Sequence, residues 1–142
     1  MKISQKSEYA FRAMLELALR LDQTQTVRTA EIARSQRIPV KFLELILVDL
    51  RRAGLIISQR GPEGGHRLAR NAKSVTVGEI WRAIEGAIIE RPMAELPRGY
   101  ADPFHTVWRA VDKAVASVVD GVTLEEIKHA AESRQKVADY DI

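Results

Sequence analysis

Arg60-Gly61-Pro62-Glu63-Gly64-Gly65-His66-Arg67 packs three glycines and a proline into five positions and encloses them between cationic side chains. Glycine permits positive φ and lets a backbone come close to whatever lies opposite, and arginines at both ends suit a polyanion. Such a turn could face a nucleotide or a nucleic acid. This one lacks the lysine-serine/threonine ending of a nucleotide-binding P-loop, and it follows a segment that ends in Arg51-Arg52-Ala53-Gly54. Other chemistry has little to work with. The chain contains no cysteine, which removes disulfides, thiolate metal sites and thiol nucleophiles together. Its three histidines are scattered and no acid and base stand at a meaningful spacing, so the chain is not expected to be an enzyme.

The elements that must carry this turn are helical. Residues 7–21 are apolar almost all round, with polar breaks at Glu8, Arg12, Glu16 and Arg20. These fall every fourth residue and are expected to form one stripe of opposite charges facing water. A helix so apolar needs cover on several sides, from the C-terminal segment or from a second copy. After a polar loop at 22–27, Thr29 is a natural N-cap for a short helix stopped at Ile38-Pro39. Pro39 suits the start of the next helix, in which Leu43, Ile46, Leu47 and Leu50 make a core stripe at i, i+3, i+4, i+7. The opposite face holds Lys41, Glu44, Val48, Arg51 and Arg52, and Gly54 closes the helix.

Two helices joined by a short turn fit a helix-turn-helix, although any small helical bundle has amphipathic helices and short turns. The next segment decides between these. Residues 55–60 are β-branched and extended in character, and residues 66–69 can pair back with them across the glycine turn. Three helices and a hairpin make a winged helix, so the chain is expected to be mainly α with a small β-hairpin.

Here the chain resembles the Rrf2 family of bacterial winged-helix transcription regulators. The likeness rests on Tyr9-Ala10, Glu31-Ile32-Ala33, Ile38-Pro39, Phe42-Leu43-Glu44, Leu50 to Leu55, Arg60-Gly61-Pro62 with Gly64-Gly65, and Arg67 to Arg70, and runs from Lys2 to about Ile127. The resemblance implies a homodimer on pseudo-palindromic double-stranded DNA, most often as a repressor. It implies that Lys41 and Glu44 face the major groove, Glu44 accepting from cytosine N4. It places Arg60, the Gly64-Gly65 backbone and Arg67 in the wing, with Arg60 at the minor groove. Lys6, Tyr9 and Arg51 become phosphate contacts. Glu44 could instead pair with Lys41 or Arg51 along its helix. Two residues depart from the family pattern: Glu63 stands for a glycine at the wing tip and His66 for a tyrosine, the latter expected to pack as an aromatic substitute. The family's cluster-binding members carry three cysteines in the loop matching 87–103. This chain has none, so a cluster held in that way is excluded and no cofactor is expected. His105, with Glu8 and Met93, could be imagined as ligands of another metal, but His105 is more simply a helix-start residue.

The second half reads as assembly. Thr76-Val77-Gly78-Glu79 and Thr123-Leu124-Glu125-Glu126 are capping boxes. Between them Phe104, Trp108, Val111, Val115, Val118 and Val122 alternate at spacings of four and three, a coiled-coil seam. It could dock on its own domain, but the apolar first helix favours a dimerisation helix. The expected organisation is a winged helix-turn-helix domain over 1–86, a loop over 87–103, and the dimerisation and final helices over 104–138, fading into a polar tail at 138–142. Of the 22 Lys and Arg and 19 Asp and Glu, 13 and 7 lie before Lys73, which leaves the first half basic and the second acidic. With 142 residues, 46% hydrophobic content and no signal-peptide or membrane-span pattern, the chain reads as a cytoplasmic domain with an appendage. The rival reading is a protein-interaction module that regulates a partner enzyme and binds DNA weakly or conditionally. Any small-molecule or protein effector is left open.

Overall fold

A computed structural model describes residues 2–20, 25–91, 97–99 and 101–140. Helix α1 (Gln5–Leu19) is the central element and packs against α2 (Thr29–Gln36), α3 (Val40–Arg52), α4 (Val77–Glu85) and α6 (Leu124–Tyr140). Ala10, Ala13, Met14, Leu17 and Ala18 are buried, so the apolar excess of this helix is met from within the chain, by α4 and α6. It starts at Gln5 rather than at Ser7. Ser4 supplies the cap by accepting from the Ser7 amide, and Ser7 is itself buried, donating at 2.7 Å to Glu85 of α4. Leu21, at the expected end of this helix, lies outside the described residues.

The charged stripe on α1 does not face water. Glu16 is 6% exposed and accepts from Arg20 at 2.9 Å and from Gln36 at 2.8 Å, while Arg12 donates to the Gln36 carbonyl. Helix α2 ends here with Arg37 at φ 53°, and its last carbonyls need donors. The stripe is therefore a polar seam between α1 and the end of α2, and only its Glu8 and Arg20 ends are exposed.

Leu43, Ile46, Leu47 and Leu50 of α3 enter the core as their spacing requires, and Gly54 closes the helix at φ 75°. Strands β1 (Ile56–Gln59) and β2 (Gly65–Leu68) pair antiparallel, with Gln59 opposite Gly65. Val27 adds a third rung that the sequence did not announce, exchanging two 2.8 Å backbone hydrogen bonds with His66. The close approach needs glycine: a Cβ on Gly65, whose φ is 151°, would lie 2.6 Å from the Val27 carbonyl oxygen.

Thr76 and Thr123 each accept from the amide three residues on, as capping boxes should, and the two meet in a backbone bridge. Glu79 does not reach back to its cap but pairs with Arg70. Leu124 is 2% exposed within the core built by the first half, so α6 returns to that core. Helix α6 continues through Tyr140, across residues 138–140 of the expected tail, and residues 141–142 lie outside the described range. Helix α5 (His105–Val119) is anchored at its C-terminal end, where Arg82 grips Asp120 with two hydrogen bonds of 2.6 and 2.9 Å. Gly78 makes that approach possible, since a Cβ there would overlap the Asp120 carboxylate. Among the described residues no helix is long and apolar enough to cross a membrane.

Candidate nucleic-acid interface

On α3 the buried stripe leaves the opposite side free, and a 100° turn per residue places Val40, Lys41, Glu44, Leu45, Val48, Arg51 and Arg52 there. Lys41, Glu44, Arg51 and Arg52 are exposed, and among the described residues none of them is in an ion pair. Glu44 therefore does not spend its carboxylate on Lys41 or Arg51. The same face presents two apolar side chains that sequence reasoning passed over, Val40 at 45% and Leu45 at 59% exposure. Their signal was their position on a face otherwise polar. An exposed valine or leucine at that place can touch a thymine methyl.

The hairpin stands beside this face. Arg60, Gly61, Pro62 and Glu63 are exposed at its tip, whereas Gly64 and Gly65 are buried. The glycine pair thus closes the turn and admits Val27, and the surface that can meet a ligand is residues 60–63. Thr26 donates to the Glu63 carbonyl at 3.0 Å, which ties the tip to the segment before α2. Arg67 is half-buried on β2.

His66 is more than an aromatic filler. Its Nδ1 lies 2.8 Å from the Ser58 hydroxyl and its Nε2 2.9 Å from the Thr29 hydroxyl, joining both strands to the first turn of α2. Thr29 is consequently not the N-cap; Arg28 occupies that place without a side-chain cap bond. Burial, and then the nearby charge of Arg51, hold the imidazole below its ordinary value of 6.5.

Lys6 and Tyr9 sit on α1 at the edge of this surface. The Lys6 ammonium lies 2.7 Å from Asp49 of α3, so its charge is partly neutralised and links the two helices. Tyr9 is half-buried, its ring edge-on to Phe42 at 5.5 Å and its hydroxyl accepting from Gln5. Arg28 and Arg37, at the two ends of α2, are also exposed and in no ion pair among the described residues. Neither belonged to a recognisable motif.

Away from this face, no residue of α5 is buried, and Phe104, Trp108 and Val118 are 60%, 42% and 64% exposed. Val111 and Val115 are half-buried. Phe104 is the cap of α5, and Val122 lies beyond its end, accepting from the Val77 amide; Val122 therefore drops out of the helical seam. Asp102 pairs with Arg91 at 2.9 Å and accepts from the Phe104 amide, which with Arg91 holds its carboxyl below the usual range.

A family model described as Rrf2, iron-dependent transcriptional regulator, matches residues 3–130. The HTH-type transcriptional regulator IscR of Vibrio atlanticus is 35% identical over 130 residues, covering 89% of this chain and 75% of its own. Among solved structures, T. potens IscR aligns with a TM-score of 0.77 at 32% identity, over 95% of this chain and 91% of that one. CymR, the global cysteine regulator of B. subtilis, aligns with a TM-score of 0.73 at 31% identity, over 92% and 98%. The donor set here does not suit the iron in the family description. The chain has no cysteine, and among the described residues no three His, Asp or Glu side chains gather where they could hold a metal ion. His105 is the first residue of α5, and Met93 lies outside the described residues.

Proposed function

This chain belongs to the Rrf2 family of transcription regulators, and from that premise we propose that it binds a pseudo-palindromic operator as a homodimer and represses by occupying it. Repression is the mode that needs only occupancy. One observation carries the reading: the solvent face of α3, with Lys41, Glu44 and Arg51 unpaired among the described residues, stands beside a hairpin whose Arg60 tip is exposed. A free helix face and an exposed wing tip suit a major groove and its neighbouring backbone. Lys41 and Glu44 then read base edges, with Val40 and Leu45 against thymine methyls. Arg51, Tyr9 and the half-neutralised Lys6 set register on phosphates, and Arg60 senses groove width.

The dimer is supported by the apolar side chains left open on α5. Pairing two copies through Phe104, Trp108, Val111, Val115 and Val118 would present two α3 helices to half-sites about one helical turn, ~34 Å, apart. Signal reception does not run through a thiolate-held cluster, because the thiolates are absent.

The test is a gel shift on DNA from the promoter region of its own gene across a salt series. Affinity should fall steeply with salt, about a thousandfold between 50 and 200 mM for about six phosphate contacts. Glu44→Ala should relax base preference at one position per half-site, and Arg60→Ala should weaken binding chiefly at narrow-groove sequences. Binding indifferent to both salt and sequence would refute the reading.

A further inference from the structure

A cavity of about 190 Å³ lies where β2, the turn at Ala72–Ser74, α1 and α6 meet. Leu17, Val27 and Leu68 give it an aliphatic floor, and Arg67, Lys73 and Lys128 supply three cationic side chains. Among the described residues the other charged side chains around it are already engaged. Arg20 is held by Glu16 at 2.9 Å and Glu31 at 2.7 Å, and Glu125 lies 3.0 Å from His129. The His66 ring, also on the wall, is spoken for at both nitrogens by Ser58 and Thr29.

Lys128 is the unusual member. Its side chain is only 7% exposed, yet its ammonium makes no hydrogen bond among the described residues, and its closest carboxylate, Glu132, is 3.8 Å away. A pair that long leaves most of the ammonium's donors open to a further acceptor. Here the ammonium, at the end of a largely buried side chain, lines a cavity that can admit an anion. We propose that this cavity binds a small organic carboxylate, its carboxyl group on Lys128 with help from Arg67 and Lys73 and its aliphatic body on Leu17, Val27 and Leu68.

Size and polarity select that class. The volume is about six times a water molecule's share of the liquid, at ~30 Å³ each, which suits an acid of about four to six carbons. Inorganic phosphate would satisfy the cations but leave the aliphatic floor wet. A molecule seated there touches the wing strand and α6 together, so occupancy would tie the hairpin to the C-terminal helix. The binding itself does not depend on the DNA-binding reading.

Titration of the ¹⁵N-labelled full chain with isovalerate, followed by amide chemical shifts, tests the proposal, with inorganic phosphate as a parallel arm. Isovalerate should give saturable shifts centred on Leu17, Leu68, Ala72 and Lys128, with a Kd on the order of 1 mM. Lys128→Met should weaken binding about tenfold or more, the loss of a hydrogen bond to a charged group. Lys73→Gln changes an exposed side chain, which does not threaten the fold, and should weaken binding about threefold; it decides the matter should the Lys128 variant not fold. The proposal is overturned if isovalerate gives no saturable shifts, if phosphate alone gives them, or if binding is unchanged in whichever of these variants folds.

Discussion

The ring of His66 is held by two hydroxyls, Ser58 on β1 and Thr29 on α2, and this couples its protonation to folding. The folded imidazole takes a proton only below 6.5, the pH at which the unfolded one does so. Between those two values the unfolded chain binds more protons, and stability rises with pH. The contribution of His66 is therefore complete above 6.5 and shrinks as the pH falls from 6.5 toward the folded value. Denaturant unfolding of the wild type should weaken over that window, and the His66→Tyr variant should be flatter there. Equal slopes would mean that His66 is not the responsible group. Glu16 and Glu85 are held below 4.5, Glu16 because bonds from Gln36, Ser35 and Arg20 outweigh its burial, Glu85 because Ser4 and Ser7 donate to it. Their contributions are complete above 4.5 and are lost as the pH falls from 4.5 toward their folded values. At this scale the sequence was partly legible. The periodic positions of α3 announced its buried residues and the charged ones on its free face, but the partners that tie Glu16 and His66 to α2, Gln36 and Thr29, lie 20 and 37 residues away and left no local mark.

At the scale of elements, local signals found helices and strands, while long-range pairings decided how they close. The hairpin could be read because glycines and β-branched residues announce a turn and its arms. Val27 could not, because a single bridging residue has no period. Helix α6 illustrates the same limit. Its capping box marked where it begins, but nothing nearby said that Leu124 would be buried in the core of the first half. Leu124→Ala should accordingly cost the whole chain about 2–5 kcal/mol, as a large-to-small change in a core does. Urea unfolding followed by helical circular dichroism should show one cooperative transition at a lower midpoint. Loss of α6 helicity alone, with the main transition unmoved, would show that the helix merely leans on the domain.

For the whole molecule, the exposed apolar side chains of α5 are what a single copy leaves undone. Trp108→Asp sets a charge on that face, which a monomer tolerates and a buried seam does not. The variant should sediment as a monomer at concentrations where the wild type is dimeric. It should keep the wild-type fold and lose affinity for a two-half-site operator far more than for a single half-site. A wild type that is monomeric at every concentration would remove the dimer from the proposal. The uneven distribution of charge hinted at two roles, but the sequence alone could not say where α5 is attached, because the Gly78 notch and the Arg82–Asp120 pair join distant segments.

That attachment also brings the chain back to where it left. Between Arg82 and Asp120 it sets out and returns to nearly the same point, so the intervening stretch is a detachable loop in the topological sense. Closing such a loop costs entropy that grows only slowly with its length. Its length and chemistry can therefore change over evolutionary time while the DNA-reading part refolds around the same core. Replacing residues 87–119 by a flexible linker of about six residues should leave a chain that still unfolds cooperatively, is monomeric, and contacts a single half-site weakly. Inheritance of the reader and turnover of whatever is inserted would then be separable events.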